Sequence, residues 1–337
     1  MESKFLFSFC PIRYAGFLVV PVFFMILLLP ATARALTVSP VRTEISGDPG
    51  STQSGSIKAT NSENTSITYY TNVQTFEAAD ETGNPTFRVT KSDLATWINI
   101  DSSITLGPKE TKDLPYTVSV PKDADPGGYF AVIFLSDSPP AKSQGGTVSL
   151  GSQIGSLVLF RVNGYIQQGA DILEFDAKSH AHWYTSLPVS FYYRFQNSGQ
   201  SWVRPLGDII VQNFFRRTAA IFPANPNEGN VLPQSIRRFE NSWVGKDGLV
   251  TPPSKFWPMV AFQWRNFAFG PYTVKLNLAY GSGSMQSATA ATTVWIFPWQ
   301  LSLVVLIAAL IIFFLLRFGI RRYNRWVITS VQKGSRR

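Results

Sequence analysis

The stretch VSFYYRFQ at 189–196 decides the fold class. Val189, Phe191, Tyr193 and Phe195 alternate with Ser190, Tyr192, Arg194 and Gln196, the two-residue period of a strand with one face buried. YTVKLNLAY at 272–280 reads the same way, as do Ile67–Val73 and Tyr116–Val120, the last stopping at Pro121. Turn-forming clusters separate these runs: Asp48-Pro49-Gly50, Gly83-Asn84-Pro85, Asp125-Pro126-Gly127-Gly128, Asn197-Ser198-Gly199 and Phe269-Gly270-Pro271. Outside the two termini no amphipathic helical pattern of useful length is found. Many short strands punctuated in this way predict an all-β chain built of β-sandwiches. By the same period, the aromatics Phe256, Trp257, Phe262, Trp264 and Phe267 are expected in the core.

Working outward, YFAVIFL at 129–135 is nearly continuous apolar, as in a central strand covered on both faces. SLVLFRV at 156–162 closes the same unit. Between them Ser138–Gly155, rich in Pro, Gly, Ser and Gln, reads as a long mobile connection. The length suits two sandwich domains, at 36–169 and 170–293.

The termini differ in kind. VWIFPWQLSLVVLIAALIIFFLL at 294–316 carries no charge and is long enough to cross a bilayer as one helix. Arg317, Arg321, Arg322 and Arg325 follow in a basic tail, 317–337. Trp295 and Trp299 flank one end of the run, and Tyr323 and Trp326 the other, as interfacial anchors do. At the amino end Lys4 and Arg13 precede an apolar segment, and Ala33-Arg34-Ala35 is a small-x-small cleavage pattern, so residues 1–35 are expected to be a signal peptide. The predicted protein is type I and single-pass in the plasma membrane, with its sandwiches outside and its tail cytoplasmic. The net charge of +9 sits almost wholly in the two terminal segments. It therefore reports topology and gives no support to nucleic acid as a partner. Cys10 is the sole cysteine and precedes the apolar segment, so the mature chain has no disulfide and no thiolate metal site.

Catalytic patterns are wanting. No Gly-x-Ser-x-Gly elbow and no phosphate-cradling loop occurs. Ser119-Val120-Pro121-Lys122 matches Ser-x-x-Lys only in letters, since a strand ending at proline cannot place Lys beside Ser. His180 and His182, two apart and expected on one strand face, lack further ligands for zinc. No enzyme, cofactor or metal is predicted. The candidate contacts are Arg216, Arg217, Arg237, Arg238 and Trp243, because guanidinium forks and flat rings suit carboxylates, phosphates and sugars. The alternative reading of Arg237 and Arg238 is that one faces solvent while its neighbour lies over an aromatic.

LTVSPVRTEISGDPGS (36–51), SGSIKATN, TFEAADETGNPTF, TWINI and PKDADPGGYFAVIF resemble the first domain of WxL-interacting proteins of bacterial cell surfaces. FQNSGQSWVRPLGDIIV, NVLPQSIRRFENSW and FGPYTVKLNLAYG are similar to that family's following domain. The resemblance implies two tandem immunoglobulin-like sandwiches before one transmembrane helix, the first of peptidoglycan-binding type. The partners expected are cell-wall polymer or another envelope protein, besides the lipid bilayer. A membrane-tethered chaperone or scaffold for a secreted or surface complex is the alternative.

Overall fold

The computed structural model describes residues 36–88, 93–139, 153–249, 251–281 and 285–334, with side chains as far as Trp326. The signal segment and most of the Ser138–Gly155 connection lie outside the described residues. The first group of elements comprises β1 (Leu36–Ser39), β2 (Arg42–Gly47), β3 (Thr52–Asn61), β4 (Ile67–Ala78), β5 (Pro85–Arg88), the short α1 (Leu94–Trp97), β6 (Ile98–Ile100), β7 (Ser103–Leu106), β8 (Thr111–Ser119), β9 (Gly127–Ser136) and β10 (Gln153–Val162). One sheet runs β1-β3-β8-β6; the other runs β2-β10-β9-β4-β5, with β7 also on β4. β2 lies parallel to β10. Ile57, Leu114, Tyr116 and Val118 from the first sheet meet Val73, Ile133, Leu135 and Phe160 from the second in one buried cluster.

The second group comprises β11 (Ala170–Ala177), β12 (Trp183–Tyr184), β13 (Val189–Asn197), β14 (Leu206–Asn213), β15 (Thr218–Pro223), β16 (Ser235–Trp243), α2 (Phe256–Arg265), β17 (Gly270–Tyr280), β18 (Gln286–Ile296) and α3 (Trp299–Gly334). Its sheets run β11-β13-β16 and β12-β18-β17-β14-β15. The alternation at 189–196 does what its period requires: Val189, Phe191, Tyr193 and Phe195 are all fully buried. They pack on Ile209, Val211, Val274, Leu276 and Leu278 of the facing sheet. The chain is thus two immunoglobulin-like β-sandwiches followed by one apolar helix.

Three local expectations fail. The aromatics at 256–267 do not continue a strand. Phe256–Arg265 is a helix, α2, in which Phe262 is buried while Trp257 and Trp264 are exposed, and Phe267 beyond it is exposed too. The apolar run at 294–316 is not one helix, because its first residues, Val294–Ile296, end β18, and α3 starts at Trp299, after Pro298. Proline, which lacks an N–H and fixes φ, marks the change of structure. His180 and His182 do not share a strand face. They lie in the bend before β12, His180 with a positive φ of 52°. α3 is long and apolar enough to cross a membrane over Trp299–Trp326, with mean hydropathy 2.9 and none of its most apolar window buried.

Candidate functional site at the joint between the sandwiches

Strand β9 explains why the two sandwiches meet where they do. Ala131, Ile133 and Leu135 point into the first core. The alternate residues Val132 and Phe134 point the other way, into a separate cluster with Phe76, Leu159 and Trp202. Trp202 belongs to the loop between β13 and β14, so this cluster is shared by both sandwiches. Its indole stands edge-on to Phe130, 5.9 Å between centroids. The Arg161 guanidinium lies 4.6 Å above the indole, a cation–π contact in which Arg161 also donates to the Ser201 hydroxyl at 3.1 Å. Burial lowers the Arg161 pKa, against the pull of Glu44. Gly128 N–H donates to the Gln200 carbonyl at 2.9 Å, closing the seam through the backbone.

Two polar clips flank that apolar centre. In the first, the β4–β5 turn of the leading sandwich reaches over the outer face of the β11-β13-β16 sheet. Glu81 accepts from Arg194 Nε at 2.8 Å and from Nη2 of the same guanidinium. Chiefly the hydrogen bonds from Arg194 hold the Glu81 carboxyl below the usual carboxylate range. The Arg238 backbone N–H donates to the Glu81 carbonyl at 2.6 Å. Gly83, at φ +83°, lies flat against Arg237; a Cβ there would fall 2.3 Å from that guanidinium carbon. In the second clip Glu44 of β2 accepts from Arg204 and from Asn230 Nδ2 at 2.9 Å. Arg204 also meets Glu228 at 3.2 Å.

Between the clips lies a hollow of about 80 Å³, walled by Phe76, Leu157, Leu159 and Leu232, with Arg42 and Arg237 at its polar side. Arg237 donates from Nη1 to the Asn230 carbonyl at 2.7 Å and lies 5.2 Å from the Phe239 ring centroid. Its Nε is buried without a hydrogen-bond partner. Desolvation, with Arg42 adding repulsion, lowers the Arg237 pKa, while Tyr193 raises it. Arg42 is itself held by Glu44 at 3.3 Å and by the Glu228 carbonyl at 3.2 Å, and Asp80 also lines the hollow, so the donor left over for an acceptor from outside is the Arg237 Nε.

The five candidate contacts are not one site. Arg237 and Arg238 lie near the start of β16, at the joint, and Arg238 stacks 3.9 Å over Tyr192. Arg216 and Arg217 lie in the turn between β14 and β15, at the opposite end of the second sandwich. Trp243 is 6% exposed and packs on Tyr272 in the core, which leaves it no face for a ligand. Of the interfacial rings, Trp295 stacks on Trp183 at 5.1 Å, and Trp299 opens α3 beside Phe256. Tyr323 and Trp326 face each other at 6.2 Å on α3, where Arg317, Arg321, Arg322 and Arg325 are exposed. Sequence reasoning missed Arg42, Glu44, Glu81, Arg194, Trp202 and Arg204. Only the arrangement of the two sandwiches brings them together.

No family model matches the chain, and no curated protein matches it in sequence. Among solved structures, the class 5 fimbriae chaperone CfaA aligns at 10% identity over 77% of this chain and 99% of its own, with a TM-score of 0.37. The E. coli chaperone DraB aligns at 10% identity over 76% and 96%, with a TM-score of 0.35. A protein of unknown function from Porphyromonas gingivalis W83 covers 76% and 98% at 12% identity and a TM-score of 0.26. Scores and identities so low imply nothing about what this chain binds.

Proposed function

We infer that this chain is held in a membrane by α3 with both sandwiches on its outer side, and that it scaffolds another envelope protein without catalysis. The hollow at the joint carries this reading. About 80 Å³ accommodates one acidic side chain or a few waters, which suits a segment of a protein better than a polysaccharide. The apolar wall of Phe76, Leu157 and Leu159 would seat the segment, and the partnerless Arg237 Nε, with Arg42 behind it held by Glu44, would take an acidic side chain's oxygen. Clips on both flanks keep the hollow in shape, so little ordering cost falls on binding. Membership of the WxL-interacting family is part of the proposal, on the motifs quoted above; binding of cell-wall polymer is its less favoured form.

The test places a photo-crosslinking residue at Asn84, on the rim of the hollow, in the full-length protein in its own membrane. One discrete protein adduct, lost when Arg42 and Arg237 are both changed to glutamine, is expected. Sedimentation with purified cell walls and no protein adduct would transfer the assignment to the polymer.

A further inference from the structure

The exposed aromatic residues of the second sandwich are gathered at one end. Register shows it: Asn213 of β14 pairs with Tyr272 of β17, and Tyr272 pairs with Val294 of β18. The β14–β15 turn, Phe214-Phe215-Arg216-Arg217, therefore begins where β18 has two residues left, level with the start of α3. Phe214 and Phe215 are 72% and 76% exposed, and their rings meet edge to face at 5.2 Å between centroids. On α2, Trp257 and Trp264 are 69% and 70% exposed. α2 is bolted to the first turn of α3. Gln263, itself buried, accepts from the Leu301 N–H at 3.0 Å and donates to Gln300 at 2.6 Å and to the Thr185 carbonyl at 2.9 Å.

A length argument brings this end to the bilayer. The uncharged part of α3, Trp299 to Leu316, rises about 27 Å at 1.5 Å per residue, close to the roughly 30 Å hydrocarbon thickness. Nearly all of it is needed to span, so Leu301 cannot stand clear of the interface. α2, in contact with Leu301, is then at headgroup depth. The β14–β15 turn is two to three strand spacings from β18, about 12 Å to the side. Neither Arg216 nor Arg217 has an acidic partner among the described residues; Lys255 precedes α2, and Arg265 at its end lies 4.0 Å from Asp247. Aromatic rings beside the unpaired Arg216 and Arg217 suit the headgroup region of an anionic bilayer.

Resting on the membrane-anchor reading above, we propose that the β14–β15 turn and α2 are a second, interfacial membrane contact. The partner is the outer leaflet itself, and the contact fixes the tilt of the sandwiches over it. α3 alone would leave the ectodomain free to lean. A foot 12 Å to the side does not.

The test uses the full chain with Cys10→Ser in vesicles of three parts phosphatidylcholine to one part phosphatidylglycerol. Single cysteines at Phe215, Trp264, Asn277 and Leu310 each carry a fluorophore, and nitroxide lipids labelled at the headgroup or deep in the acyl chain act as quenchers. Headgroup nitroxide should quench the 215 and 264 labels several-fold more than the 277 label, which sits on exposed β17 nearer the joint. Deep nitroxide should quench the 310 label. Arg216→Gln with Arg217→Gln should cut quenching at 215 about twofold. If 310 is quenched while 215 and 264 behave like 277, the foot is refuted and the anchor survives; a protein-binding role for these rings gives that same result. If 310 is not quenched, the anchor reading falls and takes the foot with it.

Discussion

Changing Trp202 to alanine should undock the sandwiches without unfolding either. The indole is 7% exposed and lies between the two principal cores, so the damage falls on the seam. Removing a buried tryptophan costs about 3–5 kcal/mol, and losing the Arg161 contact adds about 1 kcal/mol. The clips cannot compensate. Arg194 with Glu81 and Arg204 with Glu44 are about a third exposed, and pairs screened by water in this way add little to stability. Calorimetry of the parent protein should show the sandwiches melting together. Trp202→Ala should give two resolved transitions, and small-angle scattering of the soluble part should show a wider particle below the first. One undivided transition, or a loss under about 1 kcal/mol, would refute the assignment of Trp202 to the seam.

Other consequences are as open to measurement. Gly83→Ala sets a Cβ against the Arg237 guanidinium at a positive φ; hydrogen exchange at residues 79–84 should rise at least tenfold while the β13 core stays protected. Glu81 has its pKa depressed by Arg194. Its contribution to docking is thus present above the unfolded value of about 4.3 and disappears as pH falls through the lower folded value. Protection of the same turn, measured against the intrinsic exchange rate at each pH, should fall in acid below about pH 4, and Glu81→Gln should remove that pH dependence. Gln263→Leu strands the Leu301 N–H and the Gln300 side chain, at about 1–3 kcal/mol, and should expose the α2–α3 junction to protease with the sandwiches intact.

What could be read from the letters alone follows the physics of burial. Where one face of a strand is wet, as at 189–196 and 272–280, alternation is forced and legible. YFAVIFL was legible as a strand covered on both faces, but not what covers it: one side is its own core and the other is Trp202, some seventy residues on. α2 escaped because its rings are surface groups, and a dense aromatic run has no clean period; Pro258 near its start was the usable clue. The start of α3 was hidden inside a continuous apolar run, with only Pro298 to mark it. The arginines were visible as residue types, yet their division between the joint and the far end depends on strand order. Glu44 and Glu81 had no signal at all, since an isolated glutamate is ordinary until a guanidinium from another domain closes on it.

β18 passes into α3 through Phe297 and Pro298 alone, and it holds β17 across eleven consecutive residue pairs. On the proposed function, a tug from a bound partner would enter through the joint, at the far end of the sandwich, and leave through α3 along the strand's own axis. The backbone bonds lie across that direction, so the sheet is loaded in shear and its bonds share the strain at once. They are not unzipped one by one. A chain without cross-linking sulfur could thus withstand traction that would peel apart a sheet attached by its edge.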